Sequence, residues 1–202
     1  MRPKPRRRWL LAAIAVAPFA AMGLLAYFAS AAKRDTAPLA RPAVNAPFVR
    51  TPEDVVDQML KLAEPRPDDL LYDLGCGDGR IVVRAAEKYG CRAVGFDIDP
   101  DRVQEARENA RRQGVDDRVK IVEQDVLTLD LAEADVVTLY LLPRLNEKLL
   151  PQLRRLKPGA RVVSHDFGLP GVVPDKTVEF TNPDGERTRV LYLWIAPLAA
   201  DK

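Results

Sequence analysis

The chain has 202 residues, 47% of them apolar, enough for one packed domain with extensions. Its formal charge of +2 hides an asymmetry: residues 1–45 hold eight Lys/Arg and one acid, which leaves 23 basic and 28 acidic side chains in 46–202, a balance of −5. That balance lacks the basic stripe of a nucleic-acid binder, two cysteines (Cys76 and Cys91) make no disulfide framework, and with His165 as the lone histidine no metal site is expected.

Residues 9–32 carry no charge, with Arg6, Arg7 and Arg8 before them and Lys33 and Arg34 after. A helix of that length spans about 36 Å, more than the ~30 Å hydrocarbon core. The segment is read as a transmembrane anchor within an N-terminal part of residues 1–34. Two alternatives stand beside it. One is a signal peptide cut after Ala29-Ser30-Ala31, although its apolar run exceeds the usual length; the other is a buried helix or targeting peptide. The heavier positive charge on the N-terminal side predicts an N-terminus in the cytoplasm and the rest of the chain across the membrane. Pro38, Pro42 and Pro47 make residues 35–50 an extended tether, which leaves 51–202 as the domain.

The domain opens with a helix signal. Thr51 is expected to cap it, Pro52 suits its first turn, Val55, Met59 and Leu62 give an apolar face, and Pro65 and Pro67 end it. A strand over 70–74 is followed by the Gly-rich loop 75–79 and a helix over 80–89. A strand over 93–96 runs to Asp97-Ile98-Asp99, and Asp99-Pro100 cap and start a helix whose inner face is Val103, Ala106 and Ala110, stopped by Gly114. Strands over 119–122 and 136–141 flank Asp125. A leucine-rich helix (Leu145, Leu149, Leu153, Leu156) is disturbed by Pro151 and ended by Pro158-Gly159; strand 161–164 follows. Segments 178–180 and 190–195, joined by a turn at Asn182-Pro183-Asp184-Gly185, read as an antiparallel hairpin. The fold class is therefore α/β: a doubly wound, mostly parallel sheet with one reversed strand at its end.

The loop narrows the ligand. A dinucleotide site wants G-x-G-x-x-G, but the third glycine position is Arg80, and the glycines are Gly75, Gly77 and Gly79. Asp73 stands just before them. A carboxylate there repels a pyrophosphate and suits a ligand bearing an ammonium group. The run Asp73-x-Gly75-x-Gly77-x-Gly79 resembles the first motif of the seven-strand (class I) S-adenosylmethionine (SAM) methyltransferases, whose layout the elements match. The resemblance implies SAM as cofactor. Gly75, Cys76, Gly77 and Gly79 would cradle it, and Asp73 would hold its amino group. Asp97, 22 residues after Gly75, would accept the ribose hydroxyls, with Ile98 packed on adenine and Asp125 and the Val126 amide at the adenine edge. Each acid alone reads equally as a helix cap or solvated turn; three at successive strand ends are harder to dismiss.

Residues 47–52 (Pro-Phe-Val-Arg-Thr-Pro), Tyr140-Leu141-Leu142-Pro143 and Ser164-His165-Asp166-Phe167 are similar to one subgroup, the small protein-lysine methyltransferases of the ATP synthase c-subunit and the adenine nucleotide translocase, with their prokaryotic relatives. This implies a protein lysine as acceptor, on a membrane protein, with Tyr140 facing the transferable methyl and His165 taking the lysine proton. The alternatives are that Tyr140 is a core aromatic and His165 orders its loop. Rival functions are methylation of a small molecule such as a quinone or lipid headgroup, and a non-catalytic SAM-binding module. The anchor carries a conflict: SAM supply favours a cytoplasmic domain, and the flanking charges favour the opposite face.

Overall fold

The computed structural model describes residues 49–181 and 188–199. The expected anchor at 9–32, nearly all of the 35–50 tether and the hairpin turn at 182–185 lie outside the described residues. Among the described residues no helix is long and apolar enough to cross a membrane.

Helix α1 (Glu53–Ala63) leads to β1 (Leu70–Leu74), α2 (Arg80–Tyr89), β2 (Arg92–Asp97), α3 (Pro100–Arg112) and β3 (Val119–Glu123). A 3-10 turn (Val126–Thr128) precedes β4 (Val136–Leu139), α4 (Pro143–Leu153), β5 (Arg161–His165), β6 (Lys176–Thr181) and β7 (Thr188–Ile195). The seven strands form one sheet in the order β3-β2-β1-β4-β5-β7-β6. β1 to β5 are parallel, and β7 lies antiparallel between β5 and β6, the single reversed strand. The chain winds outward from β1 to β3, then returns to β4 on the other side of β1. The β1–β4 seam is thus the point where strand order reverses, and its C-terminal end is where such sheets bind ligands.

Strand alternation supplies two cores, one on each face. Leu71, Ala93, Ile121, Val136, Val163 and Leu191 pack with Val55, Met59, Ile81 and Ala106 of α1, α2 and α3. Leu74, Phe96, Val137, Leu139, Val162 and Trp194 pack with Leu149 and Leu153 of α4.

Several boundaries differ from the sequence expectation. Thr51 does not cap α1: Pro52 occupies the cap position with no side-chain bond, and the carbonyl of Thr51 instead accepts from Arg80 Nη1 at 2.6 Å. The buried face of α1 is Val55, Val56, Met59, Leu60 and Ala63, with Leu62 only half-buried. β2, β3 and β5 each run one residue further at their C-terminal ends, because Asp97 pairs with Glu123 and His165 with Leu191, and β2 also starts one residue earlier, where Arg92 pairs with Leu70. β4 stops two residues early, and Tyr140 and Leu141 leave the sheet for its rim. α4 runs through Pro151, with the buried Leu156 beyond its end. Asp99 caps α3 as expected, accepting from Asp101 N at 2.9 Å, and Val103, Ala106 and Ala110 form its buried face.

Gly79 is needed for packing. Its φ is +77°, and a Cβ there would lie 2.9 Å from Cβ of Ala106 on α3. Gly79→Ala is expected to destabilise by about 1–3 kcal/mol, through the left-handed backbone and the overlap together. Ala106→Gly carries its own helix cost of about 1 kcal/mol, so the steric part is read from a cycle of both single mutants and the double mutant by urea unfolding; the double mutant should be less destabilised than the sum of the singles, and strict additivity would contradict the contact.

Candidate active site

Parallel strands bring their C-terminal ends to one rim, and the sequence puts polar groups there: Asp73 on β1, Asp97 on β2, Asp125 just after β3, Tyr140 just after β4 and His165 on β5. The loop between β1 and α2 folds over this rim. Gly75, Gly77 and Gly79 all have positive φ, which residues with a Cβ adopt reluctantly. The amides of Gly75 and Cys76 both donate to the Phe96 carbonyl, at 2.8 and 2.9 Å, so the loop is tied to the end of β2. Gly77 N donates to Asp97 Oδ2 at 2.8 Å, and Asp99 N donates to Asp97 Oδ1 at 3.0 Å. Both carboxylate oxygens of Asp97 therefore brace backbone, and each keeps acceptor capacity for one further hydroxyl, a pair between them.

The resulting cavity is lined by Asp73, Gly75, Cys76, Asp97, Ile98, Asp125 and Val126, and by Tyr140 and Leu141. Nearly all the residues expected to hold the cofactor thus share one space. Gly77 and Gly79 do not line it: Gly77 fixes Asp97 and Gly79 packs on α3. Asp125 also caps, accepting from Leu127 N at 2.9 Å to start the 3-10 turn.

Asp73 is the unusual group. It is 2% exposed, and its Oδ1 accepts from Thr138 Oγ1 at 2.7 Å. Burial pushes its carboxyl up to about 7; the Thr138 bond opposes that, and Asp97 and Asp78 add to it. A buried acid poised at neutrality is stabilised in its charged form by a cation, which is what a ligand ammonium supplies. Burial likewise raises the Cys76 thiol well above its ordinary value, so Cys76 serves as a small apolar wall. Gly95 makes room for it: a Cβ at Gly95 would stand 2.8 Å from Cys76 Sγ.

Sequence reasoning missed a second set of residues. Asp78 and Arg80 line the cavity and form a two-bond fork, Nε to Oδ1 at 2.9 Å and Nη2 to Oδ2 at 2.6 Å. The same guanidinium holds the Thr51 carbonyl, which brings Val49 and Thr51 onto the cavity wall. Arg50 adds ion pairs to Asp78 (3.6 Å) and Glu105 (3.0 Å). The available signal was Arg80 itself: an arginine two residues after an acid, where a dinucleotide loop has glycine.

Tyr140 and His165 are in contact but differently placed. Tyr140 lines the cavity beside Leu141 and Leu145. The His165 ring packs on the Tyr140 ring (centroids 4.0 Å apart), Phe167 stacks at 6.2 Å, and His165 is fully buried, off the cavity wall, with Nε2 3.5 Å from Asp166 Oδ1. This placement favours the loop-ordering alternative for His165 over proton removal. The fit to SAM is otherwise close: a buried carboxylate for the ammonium, a braced carboxylate for the ribose, Ile98 and Val126 as apolar neighbours for a purine, and a loop at Gly75 where a Cβ would already stand 2.8 Å from Leu141 Cδ2.

Comparison with known proteins agrees. The family described as the ANTKMT methyltransferase domain matches residues 73–176. A protein-lysine N-methyltransferase of Saccharolobus islandicus is 43% identical over 153 residues, 75% of this chain and 94% of that protein. The ATP synthase c-subunit lysine N-methyltransferase of Rattus norvegicus is 34% identical over 146 residues, 70% of this chain and 67% of that protein. A crystal structure described as an RNA methyltransferase from Salinibacter ruber in complex with S-adenosyl-L-homocysteine is 51% identical, with a TM-score of 0.69, covering 74% of this chain and 94% of that one. The chain belongs to the ANTKMT methyltransferase family.

Proposed function

We propose that this protein is a SAM-dependent methyltransferase acting on a protein lysine. The observation that carries the reading is the convergence of Asp73, Asp97, Asp125 and Tyr140, from four successive strand ends, on one cavity. The names of the Saccharolobus and rat relatives support lysine as acceptor.

SAM, when bound, supplies a methyl group carried on a sulfonium. The chain's own contribution is placement and desolvation. Asp73 would hold its ammonium and Asp97 its ribose diol, two points of attachment in the cavity that Tyr140 and Leu141 also line. Holding reactants at near-attack distance supplies much of the rate of a displacement. A free lysine has a pKa of about 10.4 and is almost wholly protonated at neutrality. Tyr140, Leu141 and Leu145 offer it an apolar entry, and leaving water favours the neutral amine. His165 acts through Tyr140: stacked behind the ring, it sets the ring's position.

An RNA acceptor is the second reading, because the Salinibacter structure is described as an RNA methyltransferase. The acidic balance of residues 46–202 weighs against it. The test is transfer of tritiated methyl from SAM into a cell extract, partitioned into protein, RNA and lipid. Label in methyl-lysine after acid hydrolysis is expected; label in RNA nucleosides or lipid, with none in lysine, would overturn the reading. In that assay Tyr140→Phe should lose only a modest part of kcat, Tyr140→Ala should lose more than about a hundredfold, and SAM affinity should change little in either. His165→Ala should lower kcat without rescue at high pH. Rescue would return His165 to the role of base.

The cofactor site makes a separate prediction. Asp97→Ala and Gly75→Val should each weaken SAM binding at least about tenfold; each also costs stability, through the two amides that Asp97 braces and the positive φ at Gly75, so circular dichroism and urea unfolding establish the folded state in which binding is compared. Asp73→Asn should weaken binding likewise and yet stabilise the ligand-free protein by about 1–3 kcal/mol near pH 8, because the native state no longer holds a buried charge. The sign follows from the raised carboxyl: between the ordinary carboxylate range and about 7 the folded state binds the extra proton, so this group's contribution to stability falls as pH rises through that window. Urea unfolding of ligand-free protein near pH 5 and pH 8 reads it; equal stabilisation at both would contradict the buried charge.

Residues 9–32 are proposed as a single-pass anchor that holds the enzyme near a membrane-protein substrate; their uncharged length supports this. The full chain should stay with membranes through a high-salt wash, and a chain starting at Ala46 should be released and still bind SAM. A mature N-terminus near Ala32 would instead show cleavage.

A further inference from the structure

Thr138 lies in the middle of the sheet, fully buried, and carries a hydroxyl where its strand neighbours Val136, Val137 and Leu139 are apolar. In the parallel pairing of β1 and β4 it stands opposite Asp73, at the seam where strand order reverses. Its hydroxyl has one proton to give. Two acceptors are near, Asp73 Oδ1 at 2.7 Å and the Tyr72 carbonyl at 3.5 Å, and the first is clearly favoured. The other groups facing Asp73 are hostile to its charge or neutral. Asp97 comes from the end of β2, and Asp78 and the Cys76 thiol come from the loop. Of the cations lining the cavity, Arg80 is engaged by Asp78 and Arg102 by Glu105.

We propose that Thr138 is a positioning residue for cofactor binding, its hydroxyl holding the Asp73 carboxyl in the ionised, fixed orientation that a ligand ammonium requires. This rests on the reading of the cavity as a SAM site. It deepens that reading by assigning the pH dependence of binding to a side chain that does not touch the ligand. The burial that raises Asp73 to about 7 gives the sign. Below that value Asp73 is protonated and cannot pair with an ammonium, so SAM binding weakens as pH falls. Removing the Thr138 bond raises the carboxyl further, so the weakening begins at higher pH.

The test uses the full chain and three variants, Thr138→Val, Thr138→Ser and Asp73→Asn, with SAM affinity measured calorimetrically from about pH 5.5 to 9. The ratio of variant to wild-type affinity at each pH cancels the titration of SAM's own amine. Thr138→Val is expected to bind about tenfold more weakly near pH 5.5 and about fivefold more weakly near pH 7, and to approach wild type near pH 9, a shift of roughly one pH unit. Thr138→Ser should restore the wild-type profile, and Asp73→Asn should show no such pH step. A Thr138→Val profile superimposable on wild type, or a loss uniform across pH, would overturn the proposal, since a merely structural role lowers affinity without moving the midpoint. A second measurement is independent of any ligand: 13C NMR titration of the Asp73 carboxyl in the ligand-free proteins, assigned with Asp73→Asn. The midpoint should rise in Thr138→Val, or in Thr138→Ala if the valine variant does not fold, and an unmoved midpoint overturns the proposal. Wild type that binds no SAM at any pH would sink the SAM reading alone, and the carboxyl titration would still decide the role of Thr138.

Discussion

The site is organised around one buried carboxylate. Asp73 sits at the C-terminal end of the central strand, 2% exposed, hydrogen-bonded by a threonine hydroxyl and with two further acids nearby. A charge in that position is costly, and its natural compensation is a cation brought by a ligand. The surrounding structure follows from keeping that carboxylate in place. β1 must be central, so that both of its neighbours are strands; the loop after it must turn sharply, so that a ligand can approach; and the loop must be anchored from outside. Phe96 and Asp97 anchor it from β2, and Arg80 ties it to the entry of α1.

The acids at the rim have double duties. Asp97 braces the Gly77 and Asp99 amides, Asp99 caps α3, and Asp125 starts the 3-10 turn. A structural role for Asp97 and Asp125 therefore leaves room for a ligand, since both also line the cavity. A carboxylate oxygen has more than one lone pair, and using one on backbone fixes the other toward the cavity. The same economy appears in the glycines: Gly75 opens the cavity, Gly77 delivers an amide to Asp97, and Gly79 lets two helices meet.

Much of this was legible in the chain. Asp73-x-Gly75-x-Gly77-x-Gly79 located the sharp loop over the sheet rim because backbone conformation is written locally, in glycine spacing. The strand-end acids were legible because alternating β and α segments put them on one rim. Strand ends were off by one or two residues, since pairing across the sheet, as between Asp97 and Glu123, extends a strand beyond what its own composition suggests. What the chain did not reveal was contact between distant segments. The Arg80 link to Thr51 spans 29 residues, the Thr138 bond to Asp73 spans 65, and the packing of His165 on Tyr140 joins the ends of two different strands. His165 stood at a strand end on the rim, where both a base and a loop-ordering residue were open to it; burial, which no local pattern encodes, sets it against the Tyr140 ring and off the cavity wall.

The claim that this rim is the cofactor site is tested most directly by amide NMR of the protein titrated with S-adenosylhomocysteine, which occupies the site without turnover. Shifts are expected to concentrate at residues 73–80, 97–99, 125–127 and 138–145, with the opposite sheet rim around Asp69, Asp135 and Arg161 unmoved. Shifts centred on that opposite rim, or no saturable shifts at all, would contradict it.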